Sequence, residues 1–273
     1  MKGVNMKTGK RSDWIKIITV VTFIGMITVN ALAVTLPLNG VETGAVSDNY
    51  ANYFAPAGIT FSIWSLIYVL LALFILYYTG VIKTTEKSSI DQESFAKIGI
   101  LFAFTSIVNG VWIVCWHYDL IVVSMVLMVM LLAGLIMIVL QVEGRRFTRR
   151  DRLLVHLPFS VYLGWITVAT IANCAVMLVS LQWNGAGISP VSWTVIMLCA
   201  GMLIGTMTII RLRNVAYGAV MIWAYAGITL KQVSPSGFAG EHVSIIATAV
   251  VGMALFLVAA VYVLVIEHLH HER

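Results

Sequence analysis

The chain has 273 residues, 60% hydrophobic and only 11% charged, with a mean hydropathy of +0.95. A soluble domain carries roughly 25% charged residues, so a soluble globular protein is excluded. The net charge of +5 is not a nucleic-acid signal either, because the basic residues sort by loop.

The apolar runs are long enough to cross a bilayer at about 20 residues each, and backbone in lipid must satisfy its own hydrogen bonds, so these runs are helices. The expected fold is all-α and polytopic. Eight spans are predicted, at about 15–37, 58–79, 96–116, 120–141, 153–179, 191–210, 214–231 and 243–266. The fifth is long enough to tilt or project beyond the lipid, and the seventh is the shortest.

The charges sort sharply against this frame. Lys2, Lys7, Lys10, Arg11 and Lys16 precede the first span, and Lys83, Lys87 and Lys97 surround the second loop. Arg145, Arg146, Arg149, Arg150 and Arg152 fill the fourth loop, Arg211 and Arg213 the sixth, and Arg273 ends the chain. Of the 17 Lys and Arg residues only Lys231 falls on the other face. Basic loops stay in the cytoplasm, so both termini are expected there, in a plasma or inner membrane. Dropping any one internal span would scatter the sorting. A basic start, an apolar run and Ala31-Leu32-Ala33 loosely imitate a cleaved signal peptide, but the run is long for one and fits a retained first helix.

The longest outside loop, "NGVETGAVSDNYANYFAPAG", holds Glu42 and Asp48 and no cation. Loops of this length are binding lids or plain connectors. Cys115, Cys174 and Cys199 all lie in apolar runs and read as small buried hydrophobes without a disulfide framework. The tail "EHLHHER" carries His268, His270 and His271, read as solvated rather than as metal ligands.

No carboxylate sits near the middle of a span; Asp119, Glu143 and Glu267 lie at span ends. This weighs against a proton-driven pump. No nucleotide-binding, zinc-protease or serine-nucleophile motif is present, so no catalytic residue is assigned and an enzyme is not the favoured reading. Asn30, Asn109 and Asn173 lie within spans, where an amide most often bonds a neighbouring helix for about 1 kcal/mol. Gly201 and Gly205 form a GxxxG-like pair that fits close helix packing.

The aromatic residues are more informative. Tyr162, Trp165, Ala169 and Asn173 are spaced by three, four and four, which makes one helical stripe. Trp64 and Tyr68 share a face, as do Asn109 and Trp112. Trp116, Trp183 and Trp193 fall at outer span ends and read as an interfacial belt. Trp165 sits near mid-membrane, where its indole N–H needs an acceptor from Asn109, Asn173 or a ligand. Spacing alone leaves core packing and pocket both open.

Three motifs carry a family resemblance. Pro56, Trp64 and Tyr68 in "FAPAGITFSIWSLIY" resemble the second-helix pattern P-P-x-W-V-F-x-x-V-W-x-x-L-Y of the TspO/translocator family, the tryptophan-rich sensory proteins. "VNGVW" is similar to the third-helix L-N-x-x-W, and "VYLGWITVATIAN" to the fifth-helix P-Y-x-x-W-x-x-x-A-x-x-L-N. The motifs occur in the right order, and the resemblance covers about residues 15–183.

It implies a five-helix region that binds a flat apolar molecule such as a tetrapyrrole beneath the first loop, with no obligatory cofactor. Trp64, Tyr68, Asn109, Trp112, Tyr162, Trp165, Ala169 and Asn173 would line the cavity, under a lid containing Tyr53, Phe54 and Pro56. The sequence departs from the pattern at Ala55, Gly58, Thr60 and Val161, where the family has proline, tryptophan, phenylalanine and proline. Loss of two large groups would enlarge the cavity or change its ligand.

The organisation expected is a basic terminus at 1–14, the TspO-like region at 15–183, three added helices over 184–266 and a tail at 267–273. The favoured function is a membrane receptor or carrier for a small hydrophobic ligand. The alternatives are a secondary transporter and, third, a porphyrin-degrading enzyme. The expected partners are the bilayer and that ligand, with no nucleic acid, and the protein is a monomer or homodimer.

Overall fold

The computed structural model describes residues 2–271 except 37, 42, 51, 84–87 and 146, with side chains described from 13 to 269. Glu42, Lys87, Arg146 and Arg273 therefore lie outside the described residues, as do the side chains of Lys2, Lys7, Lys10, Arg11, His270 and His271.

Eight long helices follow one another: α1 (Lys2–Thr35), α2 (Ile63–Tyr78), α3 (Gln92–His117), α4 (Ile121–Val142), α5 (Leu157–Ser180), α6 (Pro190–Arg211), α7 (Val215–Val233) and α8 (Val243–His271). A short helix, Thr43–Asp48, and a tight turn, Gly58–Ser62, interrupt the α1–α2 connection. Three side chains fix helix starts by accepting orphan backbone N–H groups. Asp91 accepts from Ser94 before α3, Ser189 from Ser192 before α6, and Asn214 from Tyr217 before α7. Pro190 occupies the first turn of α6, where a missing N–H costs nothing.

Among the described residues, seven helices are long and apolar enough to cross a membrane. Of the eight predicted spans, the one missing from that set is α7. Its Tyr, Trp and Gly residues, with Lys231 and Gln232 at its end, dilute its hydropathy. The reason is its position: Tyr217, Val220, Met221, Ala224, Tyr225 and Ile228 are buried against other helices. A helix of 19 residues is nonetheless about 28 Å long, close to the thickness of a bilayer core.

The helices pack mainly in chain order, α1 on α3, α3 on α4 and α4 on α5; α8 covers both α6 and α7, and α7 joins α5. That last contact is close. A Cβ added to Gly164 on α5 would lie 2.9 Å from the Val220 Cβ on α7, so the absence of a side chain lets the two backbones approach. Gly201 and Gly205 do similar work inside the bundle, receiving the Tyr225 hydroxyl and the Phe256 ring. Outer faces show Leu203, Met207, Val258 and Val261 exposed, as a lipid-facing surface requires.

Helix ends gather into two groups, as an up-and-down bundle demands. One end holds the α1–α2 connection, with Tyr50 bonded to Asp119 and Asp48 paired with Lys231. At the other, Arg145 pairs with Asp91 and Tyr77 donates to Asp151.

Candidate functional site

Below the α1–α2 connection, α2, α3 and α5 turn aromatic rings toward one another. Trp64 stacks on Tyr68 with centroids 5.5 Å apart, and meets Trp112 at 6.2 Å, Tyr162 at 5.9 Å and Trp165 at 6.3 Å. Trp112 in turn stacks on Trp116 at 5.9 Å. Helical spacing of three and four is what places these rings on single faces.

A cavity of about 40 Å³ opens among them, lined by Trp64, Trp112, Trp165, Ala169 and Asn173, with Pro56 above. Thus five of the eight expected cavity residues and one of the three lid residues share a single hollow. Tyr68, Asn109 and Tyr162 stand next to it. Tyr68 backs Trp64, while Asn109 and Tyr162 belong to a buried polar chain that crosses three helices. The Asn30 amide donates to the Asn109 carbonyl at 2.8 Å, and the Asn109 amide donates to the Tyr162 hydroxyl at 2.9 Å. Asn173 and Ser124 lie 3.3 Å apart, joining α5 to α4.

Tyr53 and Phe54 line a different space. It is a cavity of about 330 Å³ between the ends of α5 and α6, walled by Trp183 and Trp193 and free of charged side chains among its described residues.

Sequence reasoning missed several lining residues: Thr43, Ser47, Phe61, Trp116, Val168 and Ala172. Trp116 is the clearest correction, since it was expected in an interfacial belt. It is 5% exposed, and its indole N–H donates to the Thr43 carbonyl at 3.0 Å, fastening the short loop helix to α3. Its position one turn after Trp112 was the available signal. Phe61, three residues before Trp64, meets Trp165 edge-on at 5.8 Å.

The departures from the second-helix pattern also acquire a physical account. Thr60 is 1% exposed because α7 occupies the space beside it: a Cβ on Gly227 would lie 2.0 Å from the Thr60 Oγ1. A phenylalanine at 60 would collide with that helix. At Gly58 a Cβ would meet nothing, so no packing demand fixes that residue. Val161 is buried within α5 without interrupting it.

Two polar atoms stand out. Trp112 and Trp165 are 5% and 3% exposed, and neither buried indole N–H has an acceptor among the described residues. The amides that could have supplied one are engaged elsewhere, Asn109 with Asn30 and Tyr162, and Asn173 with Ser124. Buried donors are nearly always paired, and one left unpaired costs about 1–3 kcal/mol. Both rings line the same small cavity.

No curated protein and no solved structure matches the chain. The family described as TSPO-like protein matches residues 16–262. That range runs past the three motifs and through α6 and α7 into α8. The added helices thus fall within the matched region, and this eight-helix membrane protein belongs to the TSPO-like family.

Proposed function

We propose that the protein is a membrane receptor or carrier for a small, flat, hydrophobic molecule that bears hydrogen-bond acceptors, held among Trp64, Trp112 and Trp165. The two unpartnered indole N–H groups of Trp112 and Trp165 carry this reading, because the described residues give neither an acceptor and both rings line the cavity. Aromatic rings give a planar ligand contact area with little side-chain entropy to lose. Ala169 and Val168 leave the floor of the cavity apolar.

The cavity as it stands has room for a water or two. A tetrapyrrole or any other ring ligand enters only if the overlying segment with Thr43, Ser47, Pro56 and Phe61 moves. In this reading the protein lies in the plasma or inner membrane with both termini in the cytoplasm, and the outer connection is its lid.

Tryptophan fluorescence tests the proposal, with a tetrapyrrole and an uncharged planar aromatic as probes. Purified protein should show saturable quenching. Trp165→Phe keeps an aromatic ring but removes the N–H, so it should weaken binding about five- to tenfold, with the unfolding midpoint in detergent checking that the fold persists. Equal affinity for both probes in wild type and Trp165→Phe would overturn the assignment.

A further inference from the structure

The segment over the cavity is held from two sides, and the two attachments differ in kind. Its first half is tied to the end of α3. The Asn39 amide donates to the His117 carbonyl at 3.0 Å, Thr43 Oγ1 lies 2.9 Å from His117 Nε2, and Trp116 donates to Thr43. Its second half keeps one bond on that side, Tyr50 to Asp119, and is otherwise tied to α7 and the loop that follows it. Lys231 pairs with Asp48 at 3.0 Å, the Gln232 amide donates to the Tyr53 carbonyl at 2.8 Å, and the Trp223 indole donates to the Thr60 carbonyl at 3.0 Å. The Ala57 N–H donates to the Gly227 carbonyl at 2.9 Å, and the Tyr53 ring packs against Phe238 and His242.

We infer that α7 is a releasable latch for the lid: its half from Trp223 to Gln232 holds Asp48 and residues 52–60 shut over the aromatic cavity, and the α3 attachment, with the Tyr50–Asp119 bond beside it, serves as the hinge. This rests on the binding reading above for its purpose, but not for its geometry.

Two observations make the seam one that can open. Its polar groups are only partly satisfied: Thr60 Oγ1 and Gln232 Oε1 are buried in it without partners. Water would reach both on opening, which favours release. The bonds it does make are mostly single hydrogen bonds to loop carbonyls and one exposed ion pair, each individually weak.

Backbone hydrogen exchange in the ligand-free protein tests the latch without any ligand. In the double variant Lys231→Ala/Gln232→Ala, exchange of a peptide covering 52–62 should quicken about tenfold, while the α2 interior around Leu71 stays unchanged. Gly227→Ala should do the same by a different route. It favours the helix, yet its Cβ would press on Thr60. Probe association, read by tryptophan quenching, should accelerate in parallel.

Unchanged exchange at 52–62 in both variants overturns the latch, as does an equal rise throughout the bundle. If exchange responds but neither probe quenches any variant, the latch stands and the binding reading fails. If probes bind and neither exchange nor association rate responds, the reverse holds.

Discussion

The two ends of the bundle are fastened by opposite means. At the end away from the lid, the fully buried carboxylate of Asp151 collects four donors. The Tyr77 hydroxyl lies at 2.8 Å, the Ser88 hydroxyl at 2.9 Å, and the Ser89 hydroxyl and backbone N–H both at 2.8 Å. One side chain thereby fixes the end of α2, the loop before α3 and the approach to α5. At the lid end, the seam between α7 and residues 52–60 leaves Thr60 Oγ1 and Gln232 Oε1 without partners among the described residues. A saturated polar cluster rigidifies its surroundings, whereas a partly satisfied one is readily exchanged for water. In the proposed reading, the ligand would enter at the end whose seam is left unsaturated.

The largest test of the contrast falls on Asp151. Replacing it with alanine strands three hydroxyls and a backbone N–H, and should cost about 3 kcal/mol, measured as a lowered unfolding midpoint in detergent. A neutral result would mean that the cluster does not brace that end. Thr60→Val should have a smaller effect of the opposite sign. It keeps the shape and removes the unpartnered hydroxyl from the seam, stabilising the protein by up to about 1 kcal/mol and slowing exchange at 52–62. Faster exchange would show that the hydroxyl holds the seam rather than weakening it.

The smallest effect is a pH dependence at the hinge. Burial, then its bond to Asp119, pushes the Tyr50 hydroxyl up from 10.0 to about 12. Because the folded protein keeps this proton longer than the unfolded chain does, the tether's contribution is complete below about pH 10 and is lost as pH rises through about 12. Exchange of residues 43–50 should therefore accelerate beyond its ordinary base-catalysed trend in that window. In Tyr50→Phe this extra step should vanish.

Much of the architecture was legible from residue order. The unbroken apolar runs correspond in order to the eight long helices of the described residues, because hydropathy is a local property. The i, i+3 and i, i+4 spacing of Trp64 with Tyr68, and of Trp165 with Ala169 and Asn173, announced faces that do converge. The rest was hidden for physical reasons. Trp116 at a span end resembles an interfacial anchor until a loop helix covers it. Tyr53 and Phe54 sit beside Pro56 in sequence, yet an irregular backbone sends them to another cavity. The Trp223–Thr60 and Gln232–Tyr53 bonds join residues more than a hundred and sixty positions apart, and no periodicity encodes such a pairing.

Sequence alone determined that this chain forms a membrane-embedded helical bundle with aromatic faces on its second, third and fifth helices, since hydropathy and helical period act over a few turns. Tertiary structure alone decided that the Trp112 and Trp165 indoles lack acceptors, and that a glycine on an added helix meets Thr60 beside the lid. Whether a buried donor is satisfied depends on what every neighbouring element brings within about 3 Å, and only the packed chain settles that.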